Sequence, residues 1–263
     1  MPGSQAVASH IPYLRRYARA LTGDQASGDA YVAATLEALV EDPSALDVSP
    51  DPKVGLYRTF AQIWNSLAVN GAETVDDSEP AEKRLTRLTP LPRQAFLLVS
   101  LEGFSDEEAA AILGVELDEV RELINDSGRE LAQDIASDVM IIEDEPVIAM
   151  ELESLVQDLG HRVTGIARTH DEAIALAKAK QPGLILADIR LADESSGLDA
   201  VNELLESFEV PAIFITAYPE RFLTGDRPEP TFLIVKPFQP SMVSAVLSQA
   251  LFFDRKARKG TPA

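Results

Sequence analysis

Residues 139–145 read VMIIEDE, four apolar residues followed at once by three acids. Four more short apolar runs occur downstream, at 163–167, 184–187, 212–216 and 232–235. Continuous apolar runs of this length, separated by turn residues, predict strands that are buried on both faces of a sheet. Amphipathic stretches predict helices at about 147–159, 170–180, 198–208, 219–224 and 241–253. Strands that alternate with helices indicate a parallel sheet covered by helices, an α/β domain.

Polar side chains stand where these predicted strands end. Glu143 and Asp144 follow the first strand, Asp188 the third, Thr216 closes the fourth, and Lys236 follows the fifth. In an open parallel sheet, ligands bind beyond the carboxyl ends of the strands. Carboxylates gathered there repel one another unless a cation lies among them, and hard oxygen ligands suit Mg²⁺. Together with a lysine and a hydroxyl for phosphate oxygens, the set predicts phosphoryl transfer to an aspartate.

On these residues the second half of the chain, from 139 to about 254, resembles the receiver domain of two-component response regulators. The resemblance implies a flavodoxin-like (βα)5 fold in which Asp188 is the phospho-acceptor. It also implies Mg²⁺ as the cofactor. Asp144 would coordinate the ion directly, Glu143 largely through water, and Arg190 through its backbone carbonyl, with Asp188 as a further ligand.

The same resemblance implies that Thr216 and Lys236 contact the phosphoryl group and that the Lys236–Pro237 peptide is cis. Receiver domains often carry an aromatic switch residue three positions before the lysine. This chain has Leu233 there, so the usual coupling of a rotating ring to the threonine is in question. Tyr218 is a candidate substitute, although a packed surface tyrosine is the alternative interpretation.

The bulk composition limits the possible functions. A net charge of −20, from 43 acids and 23 bases, argues against non-specific nucleic-acid binding and favours a basic or mixed-charge protein partner. With no cysteine in the chain, disulfides, thiolate metal sites and cysteine catalysis are excluded. We find no signal peptide and no apolar run long enough to span a membrane, so we expect a cytoplasmic protein without membrane partners.

The first half is predicted to be helical, with apolar residues at helical spacing such as Leu14, Tyr17 and Leu21. We divide the chain into residues 1–70, an acidic linker at 71–82, residues 83–137, the α/β domain at 138–256, and a basic tail at 257–263. Arg15, Arg16 and Arg19 lie among aromatic residues but at helical spacing, so a solvated helix face is predicted for them.

A helix-turn-helix is predicted near the middle of the chain. It begins with a helix at 92–102, continues through SDEE, where Ser105 and Glu108 can form a capping box, and turns at Gly114. This stretch resembles region 4 of extracytoplasmic-function sigma factors. Residues 9–69, including YLRRYARALTGDQASGDAYVAATLEAL and LYRTFAQIWNSLA, resemble region 2 of the same family.

The helix that would read DNA has the wrong charge for that task. Residues 118–131 carry five acids and two bases, whereas a reading helix needs Arg or Lys for phosphates and guanine edges. A helical hairpin with a solvated acidic face is the simpler alternative for the segment taken alone. Joined to a region 2-like part and a receiver, the chain resembles the PhyR family of response regulators, in which the sigma-like part is a mimic.

That resemblance implies an anti-sigma factor of the NepR kind as the partner, and a sensor histidine kinase or phosphotransfer protein upstream. We expect phosphorylation of Asp188 to free the sigma-like part to sequester the anti-sigma factor, with no direct DNA binding. Asp118, Glu119 and Glu122 are candidate partner-binding residues. The alternative is a receiver-controlled transcription regulator or sigma factor that acts on promoters. An aspartate-based phosphatase would need a second aspartate where Arg190 stands, so we do not expect an enzyme.

Overall fold

The structure is a computed structural model, and it describes residues 7–43, 46, 51–73, 91–131, 136–191, 196–224 and 229–260. The chain forms two compact units, and each is described by itself. The helical unit contains residues 1–129 together with 223–229, and the α/β unit contains residues 130–222 and 230–263. Residues 223–229 thus belong to the helical unit, although they stand between two strands of the α/β unit in the sequence.

The α/β unit contains a sheet of five strands, all paired in parallel in the order β2-β1-β3-β4-β5. The strands are β1 (Asp138–Ile142), β2 (Arg162–Ala167), β3 (Leu184–Asp188), β4 (Ala212–Thr216) and β5 (Phe232–Val235). Every residue of β3 is buried, because helices cover both faces of the sheet. The predicted α/β fold and its five strands are therefore confirmed.

Helices alternate with these strands as predicted, with one exception. Those of the α/β unit, numbered after the six of the helical unit, are α7 (Pro146–Asp158), α8 (His170–Ala179), α9 (Gly197–Leu205) and α10 (Pro240–Gly260). The helix predicted at 219–224 is wrong, since only Pro219–Arg221 form a single 3-10 turn. Beyond it, the backbone N–H and hydroxyl of Thr224 donate to Glu229 Oε1 at 2.9 and 2.6 Å and so do not continue a helical ladder.

Six helices are found among the described residues of the helical unit. They are α1 (Ile11–Thr22), α2 (Gln25–Glu41), α3 (Pro52–Glu73), α4 (Leu91–Ser100), α5 (Asp106–Leu113) and α6 (Leu117–Leu131). Aromatic rings pack at the centre, where Tyr17 lies 5.5 Å from Tyr57 and Tyr31 lies 4.6 Å from Trp64 between ring centroids. The all-helical first half is confirmed.

The predicted helix-turn-helix is present in α4, α5 and α6. Ser105 accepts from the backbone N–H of Glu108, and the Glu108 carboxylate accepts from the backbone N–H of Ser105, which forms the capping box. Gly114 ends α5 at a φ of 70°, a left-handed conformation that glycine adopts without steric cost. The chain therefore keeps the backbone features of a DNA-reading motif.

The predicted solvated arginine face on α1 is wrong for two of its three members. The Arg16 side chain is 5% exposed and the Arg19 side chain 0%, while Arg15 is partly exposed at 21%. Both buried guanidiniums are paired with carboxylates from elsewhere in the sequence. A buried charge requires such pairing, since desolvation of an unpaired ion is costly.

Two helices extend past the predicted domain edges. The helix α3 continues to Glu73, into the segment predicted as an acidic linker, and α10 continues to Gly260, into the predicted tail. The remaining linker residues 74–82 lie outside the described residues. Within the part of the chain that the structure describes, no helix is both long and apolar enough to cross a membrane.

Candidate functional site

The polar residues singled out at the strand ends meet at one edge of the sheet. Glu143 and Asp144 follow β1, Asp188 is the last residue of β3, Thr216 ends β4 and Lys236 follows β5. These four strands are consecutive neighbours in the sheet. Because all of them are parallel, their carboxyl ends lie along the same edge.

Three carboxylates form the acidic part of this edge. Glu143, Asp144 and Asp188 each offer one oxygen, and these oxygens lie within 4.8 Å of one another. Glu143 and Asp188 are buried, whereas Asp144 is partly exposed. Oxygen ligands at this spacing, with one partly open to solvent, fit a hard divalent cation that keeps some of its water.

Lys236 lies between two of the carboxylates. Its ammonium group donates to Asp188 Oδ2 at 2.6 Å and to Glu143 Oε2 at 2.9 Å. The second Asp188 oxygen, Oδ1, accepts from the backbone N–H of Arg190 at 3.0 Å. Asp188 is therefore held by a charge on one oxygen and by a backbone amide on the other.

The pKa values of this group follow from its burial and charge. Burial raises the pKa of the Glu143 carboxyl above its usual value, against the opposing effect of the hydrogen bond and charge of Lys236. Burial alone would lower the pKa of Lys236, but its hydrogen bonds to Asp188 and Glu143 raise it above the usual value. Lys236 therefore remains a cation, which partly offsets the repulsion among the carboxylates.

Thr216 completes the edge on the side of β4. Its side chain is buried, and its hydroxyl oxygen accepts from the backbone N–H of Tyr218 at 3.1 Å. The position that often carries the aromatic switch is occupied by Leu233, which is buried within β5. The Tyr218 ring is 44% exposed and stacks on the Arg221 guanidinium at 5.0 Å. The Lys236–Pro237 peptide is cis, as expected.

Gly197 is a residue of this site that the sequence did not reveal. It begins α9, and its backbone N–H donates to the carbonyl of Ile189 at 3.2 Å. A Cβ atom added at this position would collide with the backbone carbonyl oxygen of Asp188. A glycine that follows two serines resembles many loops, so only the fold shows that this one allows α9 to approach Asp188.

We expect Gly197→Ala to destabilise the α/β unit, because the added methyl group must displace the backbone of Asp188. Overpacking of this kind costs about 1–3 kcal/mol. Chemical denaturation monitored by circular dichroism measures the change. Gly165→Ala is the matched control, since the atoms nearest to its methyl group belong to the flexible side chain of Leu176 and not to backbone. Equal midpoints for the two variants would contradict the close approach.

The candidate partner-binding residues lie in the helical unit, away from the strand ends in sequence. Asp118, Glu119 and Glu122 are all exposed on α6. Arg121 of the same helix is occupied by ion pairs with Asp106 at 3.4 Å and Asp118 at 3.3 Å. The exposed surface of α6 over residues 117–127 is thus acidic in the structure as well as in the sequence.

Three family models match the chain. The sigma2 domain of PhyR matches residues 7–61, the sigma-like domain of the response regulator PhyR matches residues 85–134, and the response regulator receiver domain matches residues 139–247. Together the three models cover most of the chain in the order predicted from its sequence.

Relatives match it over nearly the full length. The phyllosphere-induced regulator PhyR of Methylorubrum extorquens is 64% identical over 261 residues, 98% of both chains. The anti-anti-sigma factor PhyR of Bartonella quintana is 50% identical, with a TM-score of 0.87 over 98% of each chain. The same protein in complex with the anti-sigma factor NepR is 51% identical over 95% of this chain and 98% of that chain, with a TM-score of 0.41. The chain belongs to the PhyR family of response regulators.

Proposed function

We propose that the chain is a phosphorylation-activated anti-anti-sigma factor. Phosphorylation of Asp188 frees the sigma-like part to bind an anti-sigma factor of the NepR kind, which then releases its sigma factor. The observation that carries this proposal is the position of Asp188. It lies buried at the carboxyl end of β3, beside Lys236 and two further carboxylates. A phospho-acceptor in the same chain as a sigma-like part is suited to regulating what that part binds.

The acceptor chemistry requires little beyond what these residues supply. An Asp188 oxygen forms a bond to phosphorus while the bond from phosphorus to the donor atom breaks. Lys236 already donates to Asp188 and is positioned to neutralise the added charge. Asp144 and Asp188 would hold Mg²⁺ directly, with Glu143 acting through water and Arg190 through its carbonyl. The ion, when bound, neutralises charge on the phosphoryl oxygens.

The sigma-like part supplies the recognition surface. It keeps the capping box and the glycine turn of a helix-turn-helix but presents the acids Asp118, Glu119 and Glu122 on α6. An anti-sigma factor that binds the shape of a sigma factor would recognise such a unit. Basic residues on that partner would be attracted by the acidic face, which assists the rate and specificity of encounter.

Residues 223–229 provide a connection between phosphorylation and the helical unit. The Glu229 side chain of this segment is 2% exposed, and its Oε2 accepts from Arg19 Nη2 at 2.8 Å. Its backbone N–H donates to Gln25 Oε1 at 2.7 Å. Helices α1 and α2 thereby hold a segment that follows Thr216 by seven residues in the chain. A shift at Thr216 therefore reaches the helical unit along a short piece of backbone.

Thr216 is placed to start that shift. Its hydroxyl accepts from the Tyr218 N–H, and its hydroxyl proton can be donated to a phosphoryl oxygen on Asp188. Movement of Thr216 toward the phosphoryl group would pull the backbone from Tyr218 onward. We infer that this tension withdraws residues 223–229 from the helical unit and frees, for a partner, the part of α1 and α2 that Glu229 contacts.

The upstream donor follows from the same chemistry. A phosphoryl group carried on a histidine, in a sensor kinase or a phosphotransfer protein, is a reactive donor for an aspartate acceptor. The chain itself would perform only slow hydrolysis of its own aspartyl phosphate.

A DNA-binding regulator is the second candidate, and the intact helix-turn-helix backbone favours it. The surface charge opposes it. Each phosphate contact depends on a cation that displaces condensed counterions, and residues 118–131 carry two bases against five acids.

One experiment separates the two candidates. We expect the full chain, treated with acetyl phosphate and Mg²⁺, to bind a NepR-type anti-sigma factor more tightly than the untreated chain in isothermal calorimetry. Fluorescence anisotropy of promoter DNA should stay flat with the same samples at physiological salt. Replacement of Asp118, Glu119 and Glu122 by Asn or Gln should slow association with the anti-sigma factor. Specific promoter binding by the phosphorylated chain would support the regulator instead.

A further inference from the structure

The helical unit contains a group of buried charges that the proposed function does not use. The Glu102 side chain is 1% exposed, and its Oε1 accepts from Arg16 Nε at 3.0 Å. Its Oε2 accepts from the hydroxyl of Tyr57 at 2.9 Å. The backbone carbonyl of Glu102 accepts from Lys53 Nζ at 2.6 Å. We call Arg16, Lys53, Tyr57 and Glu102 the Glu102 cluster.

The cluster joins two parts of the helical unit. Arg16 is in α1, and Lys53 and Tyr57 are in α3, all within the region 2-like half, residues 7–73. Glu102 follows α4 in the region 4-like half, residues 91–131. The two halves are separated in the chain by residues 74–90. Every hydrogen bond of the cluster described above therefore crosses from one half to the other.

Further contacts across the same boundary are also directional. Arg16 Nη2 donates to the carbonyl of Leu101 at 3.0 Å, and Arg58 Nε donates to the carbonyl of Ala111 at 3.0 Å. The Lys53 ammonium lies 4.0 Å from the centre of the Phe104 ring. A boundary held by hydrogen bonds of fixed geometry specifies one arrangement more strictly than apolar packing of the same area, which tolerates sliding.

The charges in the cluster are costly to bury and are satisfied only when the halves meet. Burial alone would lower the pKa of Arg16, but the charge of Glu102 and the hydrogen bond to it raise it above its usual value. Burial together with the charge of Glu102 raises the pKa of Tyr57 well above its usual value. Buried ion pairs add little stability over apolar residues of the same size, although removal of one partner is strongly destabilising. Specification of geometry is the best-attested use of such groups.

We propose that the Glu102 cluster is a polar latch that fixes the region 2-like half against the region 4-like half in one arrangement. The two halves then move as one body, and a partner meets a single surface made from both. The latch is internal to the helical unit, and its existence does not depend on phosphorylation or on the proposed function. Only its consequence for the anti-sigma factor depends on that function.

Electron paramagnetic resonance on the full chain tests the latch without any partner. The chain has no cysteine, so two introduced cysteines can be spin-labelled without background. Glu37 on α2 and Glu119 on α6 are exposed positions, one in each half. With Glu37→Cys and Glu119→Cys as the parent, we expect one narrow distribution of distances between the labels.

Glu102→Gln should change this to a broad or multi-peaked distribution, because Arg16 loses its counter-ion. Asp106→Asn is the matched control, since it removes an ion pair with Arg121 that is exposed and lies within one half. The control should keep the narrow peak. If Glu102→Gln also keeps the narrow peak, the proposal of a polar latch is wrong.

A second variant keeps the test decisive if Glu102→Gln fails to fold. The triple change Arg16→Met, Tyr57→Phe and Glu102→Leu removes the buried polar side chains together and leaves apolar groups of similar size. We expect it to fold with a melting temperature near that of the parent but to give a broad distance distribution. A folded triple variant with the narrow parental peak would show that apolar packing alone sets the arrangement and would overturn the proposal.

Discussion

Replacement of Asp188 with asparagine should abolish phosphorylation of the chain by acetyl phosphate. Asparagine keeps the size and shape of the side chain but lacks the carboxylate nucleophile. The one remaining oxygen can accept from Lys236 or from the backbone N–H of Arg190, so one of the two hydrogen bonds is kept and the fold should persist. Intact-mass spectrometry should show the addition of one phosphoryl group to the parent and none to the variant.

A matched control shows whether a loss of phosphorylation is specific to Asp188. Asp199→Asn changes an exposed aspartate in the first turn of α9, in the same unit and with the same chemistry of substitution. We expect it to be phosphorylated like the parent. Full phosphorylation of Asp188→Asn would mean that the acceptor is elsewhere, and loss of phosphorylation in both variants would point to a general effect of charge.

Intact-mass spectrometry also tests whether phosphorylation requires a divalent cation. Removal of Mg²⁺ with a chelator should stop phosphorylation of the parent. Asp144→Asn should raise the Mg²⁺ concentration that is needed, because one of the three grouped carboxylates is lost. Phosphorylation that proceeds unchanged in the chelator would contradict the role that we propose for the acidic group.

The α/β unit could be predicted closely from sequence because its signals are local. An apolar run of five residues or so defines each strand, and the residue that follows it falls at the carboxyl edge of the sheet. That rule alone predicts that Glu143, Asp188 and Lys236 lie close together. The helix predicted at 219–224 is only a 3-10 turn at Pro219–Arg221, and the hydrogen bonds of Thr224 to Glu229 are contacts that the local pattern does not show.

The buried arginines could not be predicted in the same way. Arg16 and Arg19 lie on α1 at a spacing that also suits a solvated face, and no nearby residue shows their burial. Each has a partner that is distant in the chain, since Glu102 is 86 residues from Arg16 and Glu229 is 210 residues from Arg19, although Arg19 also pairs with Asp29 ten residues away. Only tertiary structure reveals which charges meet, and these are the charges on which both of our inferences about the helical unit depend.

We also expect a large effect on anti-sigma factor binding from Glu229→Gln in the full chain. The variant should bind a NepR-type anti-sigma factor without phosphorylation. In the parent, Glu229 is 2% exposed and pairs with the fully buried guanidinium of Arg19. A hydrogen bond between charged groups contributes about 1.5–3 kcal/mol. Its loss should shift residues 223–229 out of the helical unit.

The expected size of the effect follows from that free energy. Since about 1.4 kcal/mol corresponds to a factor of ten, the affinity of the unphosphorylated variant for the anti-sigma factor should rise by about 10- to 100-fold. Calorimetry with unphosphorylated parent and variant measures it. Asp29→Asn is the control, because Asp29 also pairs with Arg19, at 2.8 Å, but lies in α2 and leaves Glu229 in place. It should not reproduce the gain.

A double variant decides whether residues 223–229 act downstream of the phosphoryl group. Asp188→Asn alone should bind the anti-sigma factor weakly under all conditions, because it cannot be phosphorylated. If phosphorylation acts by withdrawing the segment, Asp188→Asn combined with Glu229→Gln should bind as tightly as Glu229→Gln alone, with or without acetyl phosphate. If the double variant binds as weakly as Asp188→Asn, the phosphoryl group acts by another route and the Arg19–Glu229 pair only stabilises the helical unit. A thermal melt of each variant tests whether unfolding is the cause. We expect Glu229→Gln to remain folded, since it retains a side-chain oxygen that can accept from Thr224.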